Sequence, residues 1–162
     1  MKTIRVNGYA FFVDTEKTER YYKTHSLCDC VCCRNYYAQI KNRFPEFDRL
    51  LNAFGADISR PDEVTSIEMD GYTDYMSADY TVCGRMEPSG QCKIDQYDDL
   101  PLNLVITDGF VSPNEQTGEY FTISVMKLEL PWALEETFPE PITERAVRTL
   151  KFKNVFRKLF KK

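Results

Sequence analysis

Four cysteines lie between residues 28 and 33, at Cys28, Cys30, Cys32 and Cys33, and the chain's single histidine, His25, stands just before them. Thiolate and imidazole are the donors that hold Zn²⁺, which takes four ligands tetrahedrally in structural sites. On an extended segment residues i and i+2 point to one side, so Cys28 and Cys30 can share an ion. Cys30 and Cys33 have the C-x-x-C spacing, which folds two thiolates around one ion when the second sits on the first turn of a helix. A helix opening near Val31 adds unpaired N–H groups and a positive dipole end, both of which favour thiolate over thiol. With His25 as the fourth donor the set reads H-x2-C-x-C-x2-C, and a zinc ion is the expected cofactor. The spacing leaves alternatives open. Cys32 is surplus and can displace Cys28 or Cys33, while Cys83 or Cys92 can replace His25. The competing reading is of inert reduced thiols, since free Cys packs as a small apolar residue.

Disulfides rank below both readings. The opening residues lack the apolar run and small-residue cleavage site of a secretory signal, so a reducing, cytoplasmic location is expected. A thioredoxin-like redox site needs a βαβ context that the pattern does not supply. The string THxxCDCxxCRNYY, here Thr24, His25, Cys28, Asp29, Cys30, Cys33, Arg34, Asn35, Tyr36 and Tyr37, resembles that of a small uncharacterised bacterial protein family. The likeness extends through the later strands to Pro131-Trp132. It implies a bacterial origin and no assigned activity, cofactor or partner.

Other chemistry is sparse. G-x-S-x-G, Walker-type, G-x-G-x-x-G, H-E-x-x-H and EF-hand spacings do not occur. Asp95, Asp98 and Asp99, like Asp70, Asp74 and Asp79, read as solvated carboxylates near turns. A Cys–His nucleophile built from His25 lacks an orienting third group. No catalytic residue is therefore expected.

Charge separates the chain into two parts. Residues 1–141 carry a net charge of −11 and residues 142–162 a net charge of +7, which together give the overall −4. An acidic body repels phosphate backbones, so nucleic acid is excluded as its partner. In the end segment Phe152, Val155, Phe156, Leu159 and Phe160 share one helical arc. Lys151, Lys153, Arg157, Lys158, Lys161 and Lys162 occupy the other side. That segregation suits a helix lying on an anionic membrane surface, or one docked on the acidic body.

The elements that must position the cysteines follow from periodicity. Asn7-Gly8 sits between two β-prone runs and predicts a hairpin over about residues 2–13. Residues 14–27 are polar and read as a loop or a short irregular helix. Cys33, Tyr36, Tyr37, Ile40 and Phe44 fall on one helical face. Pro45 ends that helix and opens a second, which carries Phe47, Leu50, Leu51 and Phe54 and stops at Gly55. This predicts an αα-hairpin. Beyond residue 62 the period becomes two. Asp70-Gly71 joins Val64–Met69 to a strand through Met76–Val82, and shorter strands follow at Cys92–Ile94 and Leu102–Ile106. Phe121, Ile123 and Val125 and then Leu128 and Leu130 change parity, which calls for a one-residue bulge near Met126. Pro131 ends the strand.

The expected fold is α+β: an N-terminal hairpin, an αα-hairpin, a mainly antiparallel sheet of about four strands and a C-terminal amphipathic helix. One domain spans 1–141, with 142–162 as its tail. The leading expectation is a non-enzymatic binding or interaction domain with a structural zinc site, taking a protein or small-molecule partner. A thiol-redox or metal-dependent enzyme using the same cysteines, and a membrane-peripheral protein addressed by the tail, are the alternatives.

Overall fold

The computed structural model describes residues 1–94, 102–108 and 118–141. Its first strands follow from the Asn7-Gly8 pair. Both residues have positive φ, 49° and 81°, as the two central positions of a type I′ turn require. They join β1 (Lys2–Val6) to β2 (Tyr9–Val13) in the expected antiparallel hairpin. The polar stretch that follows is more ordered than its composition suggests, and forms a regular helix, α1 (Thr15–Thr24). Asp14 caps it by accepting the Lys17 N–H at 2.9 Å, and Thr18, Tyr21 and Tyr22 bury one face.

The αα-hairpin forms as expected. Helix α2 (Val31–Arg43) ends at Phe44, and α3 (Pro45–Phe54) opens with Pro45, whose missing N–H costs nothing in a first turn. Gly55 closes α3 in the left-handed conformation at φ 83°, where an L side chain is disfavoured.

Five further strands complete the order: β3 (Glu63–Glu68), β4 (Tyr72–Glu87), β5 (Gln91–Ile94), β6 (Asn103–Asp108) and β7 (Tyr120–Pro131). All the pairings are antiparallel, and the path is β1-β2-β4-β7-β6-β5 with β3 beside β4. Among the described residues seven strands form one sheet, in place of the expected four or so. The cause is β4, whose 16 residues accommodate β3 along Thr73–Asp79 and β2 along Gly84–Glu87. The N-terminal hairpin therefore extends the sheet. Gly84 permits the approach of β2, because a Cβ there would lie 2.1 Å from the Phe12 carbonyl oxygen.

The change of parity in β7 is real but is accommodated differently from a bulge near Met126. Lys127 takes a left-handed φ of 56°, and β4 changes parity opposite it at Met76. The β4–β7 register is thereby kept, from Tyr75↔Leu128 to Ala78↔Val125. The register shift falls instead between β3 and β4, at Thr65/Ser66. As a result Tyr75 and Tyr80 both turn to the helices: the Tyr36 ring lies 5.2 Å from Tyr75, and the Tyr36 hydroxyl 2.8 Å from that of Tyr80.

Aromatic packing holds the helices on the sheet. Phe11, Phe54 and Phe121 join β2, α3 and β7 with ring centroids 5.4 to 5.9 Å apart, and Phe47 meets Tyr80 at 5.7 Å. Burying such rings contributes about 2–3 kcal/mol each before entropy is counted. Among the described residues no helix is long and apolar enough to cross a membrane. The expected amphipathic helix falls within 142–162, outside the described residues.

Candidate metal centre

The cysteines sit where a loop without regular structure, residues 25–30, runs into α2. Cys30 is the N-cap of that helix: its backbone is extended, at φ −62° and ψ 154°, and its Sγ accepts the Cys33 N–H at 3.5 Å. Capping turns the Cys30 sulfur back over the first turn, where Cys33 also lies. The loop brings Cys28 to the same place. The sulfurs of Cys28, Cys30 and Cys33 all lie within 4.8 Å of one another. Two thiolates on one ion with metal–sulfur bonds of about 2.3 Å stand ~3.8 Å apart, so small side-chain rotations suffice to close the set. Cys28 and Cys30 are exposed and Cys33 is buried.

The sulfurs already interact electrostatically. Burial opposes ionisation of Cys30, but the Cys33 N–H, the Cys33 and Cys28 thiols and the Cys32 N–H together outweigh it and lower its pKa. Cys33 moves the other way, raised first by burial and then by its contacts with Cys30 and Cys28. Ionisation is thus favoured at Cys30 over Cys33. Tyr37, one turn beyond Cys33, adds a neutral donor at the edge. Burial, then the Cys33 sulfur, then Cys28 and Cys30 hold its hydroxyl well above the ordinary range.

The rest of the chain grips α2 around this group. Tyr75 of β4 is fully buried and donates its hydroxyl to the Cys32 carbonyl at 2.8 Å, while accepting from Asn35 Nδ2 at 3.0 Å. Asn35 also donates to the Pro131 carbonyl at 3.2 Å and accepts the Ala133 N–H at 2.8 Å. Arg34 donates Nε to the Asp29 carbonyl at 2.9 Å and its two terminal nitrogens to the Glu136 carboxylate. The cysteine loop, the first turns of α2 and residues 131–136 are thereby tied together. The Arg34–Glu136 pair, like Tyr37, was not among the expected site residues. Tyr37 was detectable as the i+4 neighbour of Cys33, whereas a contact 102 residues distant in sequence has no local signature.

Other cysteines and the histidine lie apart. Cys32 points to β3, its thiol 3.4 Å from the Glu68 carboxylate and raised by burial and that contact to about 11. Cys83 and Cys92 are buried on β4 and β5. His25, expected as the fourth ligand, does not join the three sulfurs. It is the C-cap of α1, its N–H donating to the Tyr21 carbonyl at 2.8 Å, and its ring is buried. There Nδ1 is 3.2 Å from the Tyr21 hydroxyl and Nε2 3.9 Å from Asp62 Oδ1. Asp62 in turn accepts the Tyr21 hydroxyl and the Thr81 N–H, the latter at 2.6 Å. The histidine belongs to a buried polar cluster that joins α1 to β4.

A separate cavity of about 400 Å³ opens beside α1 and α3, with Lys23, Lys41, Arg60, Glu19 and Asp57 on its walls. None of the cluster cysteines lines it. Comparison with protein-family models, with curated proteins and with solved structures yields no match.

Proposed function

We propose that this chain is a non-catalytic metal-binding domain that holds one thiophilic ion through Cys28, Cys30 and Cys33. The observation that carries this is the convergence of three sulfurs from six successive residues, two of them exposed, at a helix N-terminus. Thiolates held this close repel one another, and a cation between them removes that repulsion. The ion's first role is structural. Residues 26–30 offer Leu27 as their only half-buried aliphatic side chain, so they gain little from packing, and coordination fastens them to α2. In the sequence zinc is the expected ion; the sulfurs suit any soft divalent or monovalent ion. Elemental analysis of the purified full chain tests this. One metal per wild-type chain and none in the Cys28→Ser/Cys30→Ser variant is expected. A wild-type chain that stays metal-free when metal is supplied would end the proposal.

A second reading rests on Cys30 as helix N-cap with Cys33 one turn on. These two thiols can form a disulfide, giving two electrons and two protons to hydrogen peroxide, which leaves as two waters. Peroxide treatment that forms a Cys30–Cys33 disulfide in metal-free chain, with no metal bound beforehand, would favour it over the first.

A further inference from the structure

We infer that the site is built for three-coordinate monovalent copper in preference to four-coordinate zinc, an inference that rests on the metal-binding reading above. The donor inventory of the chain carries it. All six cysteines and the one histidine lie among the described residues, so every thiolate and imidazole donor can be placed. Three sulfurs meet. Cys32 is turned to Glu68. Cys83 and Cys92 are buried on strands β4 and β5, and the His25 ring lies tilted against Tyr21, centroids 5.1 Å apart, and faces Asp62. No Asp or Glu among the described residues comes into the group either.

A structural zinc site closes with four protein ligands, and with three it keeps an open position for water. Monovalent copper has a filled d shell, prefers soft thiolate, and is satisfied by three sulfurs. Three thiolates around a monovalent ion leave two negative charges, one more than around Zn²⁺. The surroundings offset that charge: the Cys33 N–H points at Cys30, and the α2 N-terminus presents its positive dipole end. The exposure of Cys28 and Cys30 leaves a path for ligand exchange with an incoming thiolate-bound ion.

The test is an anaerobic titration of the reduced full chain with Cu⁺ held by a competing chromogenic chelator. Parallel titrations use Zn²⁺, and Co²⁺ as its spectroscopic substitute, and X-ray absorption counts the neighbours. The expected result is one Cu⁺ per chain with three sulfur neighbours, and a Zn²⁺ or Co²⁺ form with three sulfurs and one oxygen. Cys28→Ser removes a direct ligand and is expected to weaken Cu⁺ binding by more than the ~10–100-fold that loss of an outer-shell partner costs, while Cys32→Ser leaves it unchanged. A Zn²⁺ form with four sulfur or nitrogen donors would overturn the inference and leave the metal-binding reading standing, whereas a copper site with two sulfurs, or equal losses in Cys32→Ser and Cys28→Ser, would overturn the inference and also the assignment of Cys28, Cys30 and Cys33 as the ligands. Failure of all three ions to bind would remove both.

Discussion

Replacing Cys30 by serine separates the metal from the helix cap, because the two roles fall on one atom. The Cys30 sulfur accepts the Cys33 N–H at 3.5 Å, longer than a good N–H···O bond. Serine is among the best N-cap residues, whereas a cap replaced by alanine costs about 1 kcal/mol. In metal-free protein Cys30→Ser should therefore melt within about 0.5 kcal/mol of wild type, and Cys30→Ala about 1 kcal/mol lower. Metal changes the order. At a free concentration 100 times the Kd, an ion that binds only the folded state adds about 2.7 kcal/mol. For a chain of this size that is a rise in Tm of roughly 5–11 °C. Wild type should show this rise, and both variants should lose most of it. Thermal unfolding in a non-chelating reductant, with chelator or with metal, measures all six states. Equal gains in Cys30→Ser and wild type would refute the assignment of this sulfur as a ligand, and no gain in any of them would refute the site.

Three other outcomes follow from the contacts around the site. Burial holds the Asp62 carboxyl above its ordinary 3.8, against the hydrogen bonds from Tyr21 and Thr81. The folded state then binds that proton more tightly than the unfolded chain, so the contribution is full below the unfolded pKa and is lost as pH rises through the folded one. The stability of wild type relative to Asp62→Asn should accordingly shrink from about pH 4 upward in urea titrations, and a difference that grows with pH would contradict it. Tyr75→Phe removes the bond to the Cys32 carbonyl and leaves Asn35 with one partner fewer. It should cost about 1–2 kcal/mol by chemical denaturation and weaken metal binding severalfold. Gly84→Ala puts a methyl against the Phe12 carbonyl at φ 144°, and should lower stability by roughly 3 kcal/mol in the same assay.

The elements that could be read in the sequence were those with local causes. Asn7-Gly8, Asp70-Gly71, Pro45 and Gly55 each dictate a backbone conformation by themselves, and the structure has the turn, helix start or helix stop expected at each. Helix α1 is hard to read in the sequence because its composition is polar. Its marks were the Asp14 cap and the spacing of Thr18, Tyr21 and Tyr22, three and four residues apart. The size of the sheet was not legible, since nothing in the local pattern of Tyr72–Glu87 says that one strand borders two others on the same side. At the site the three cysteines follow from i, i+2 and C-x-x-C spacing, whereas the direction of His25 is set by Tyr21 and Asp62, the latter 37 positions later in the numbering. Proximity in sequence placed the histidine near the cysteines, and tertiary packing took its ring away.

Differential alkylation read by mass spectrometry tests most directly whether three sulfurs hold one ion. With metal in place, the exposed Cys28 and Cys30 should be protected together with Cys33, at one ion per chain; after chelation Cys28 and Cys30 should react first. Cys32, Cys83 and Cys92 should react alike in both conditions. Equal labelling of Cys28 and Cys30 with and without metal would contradict the account.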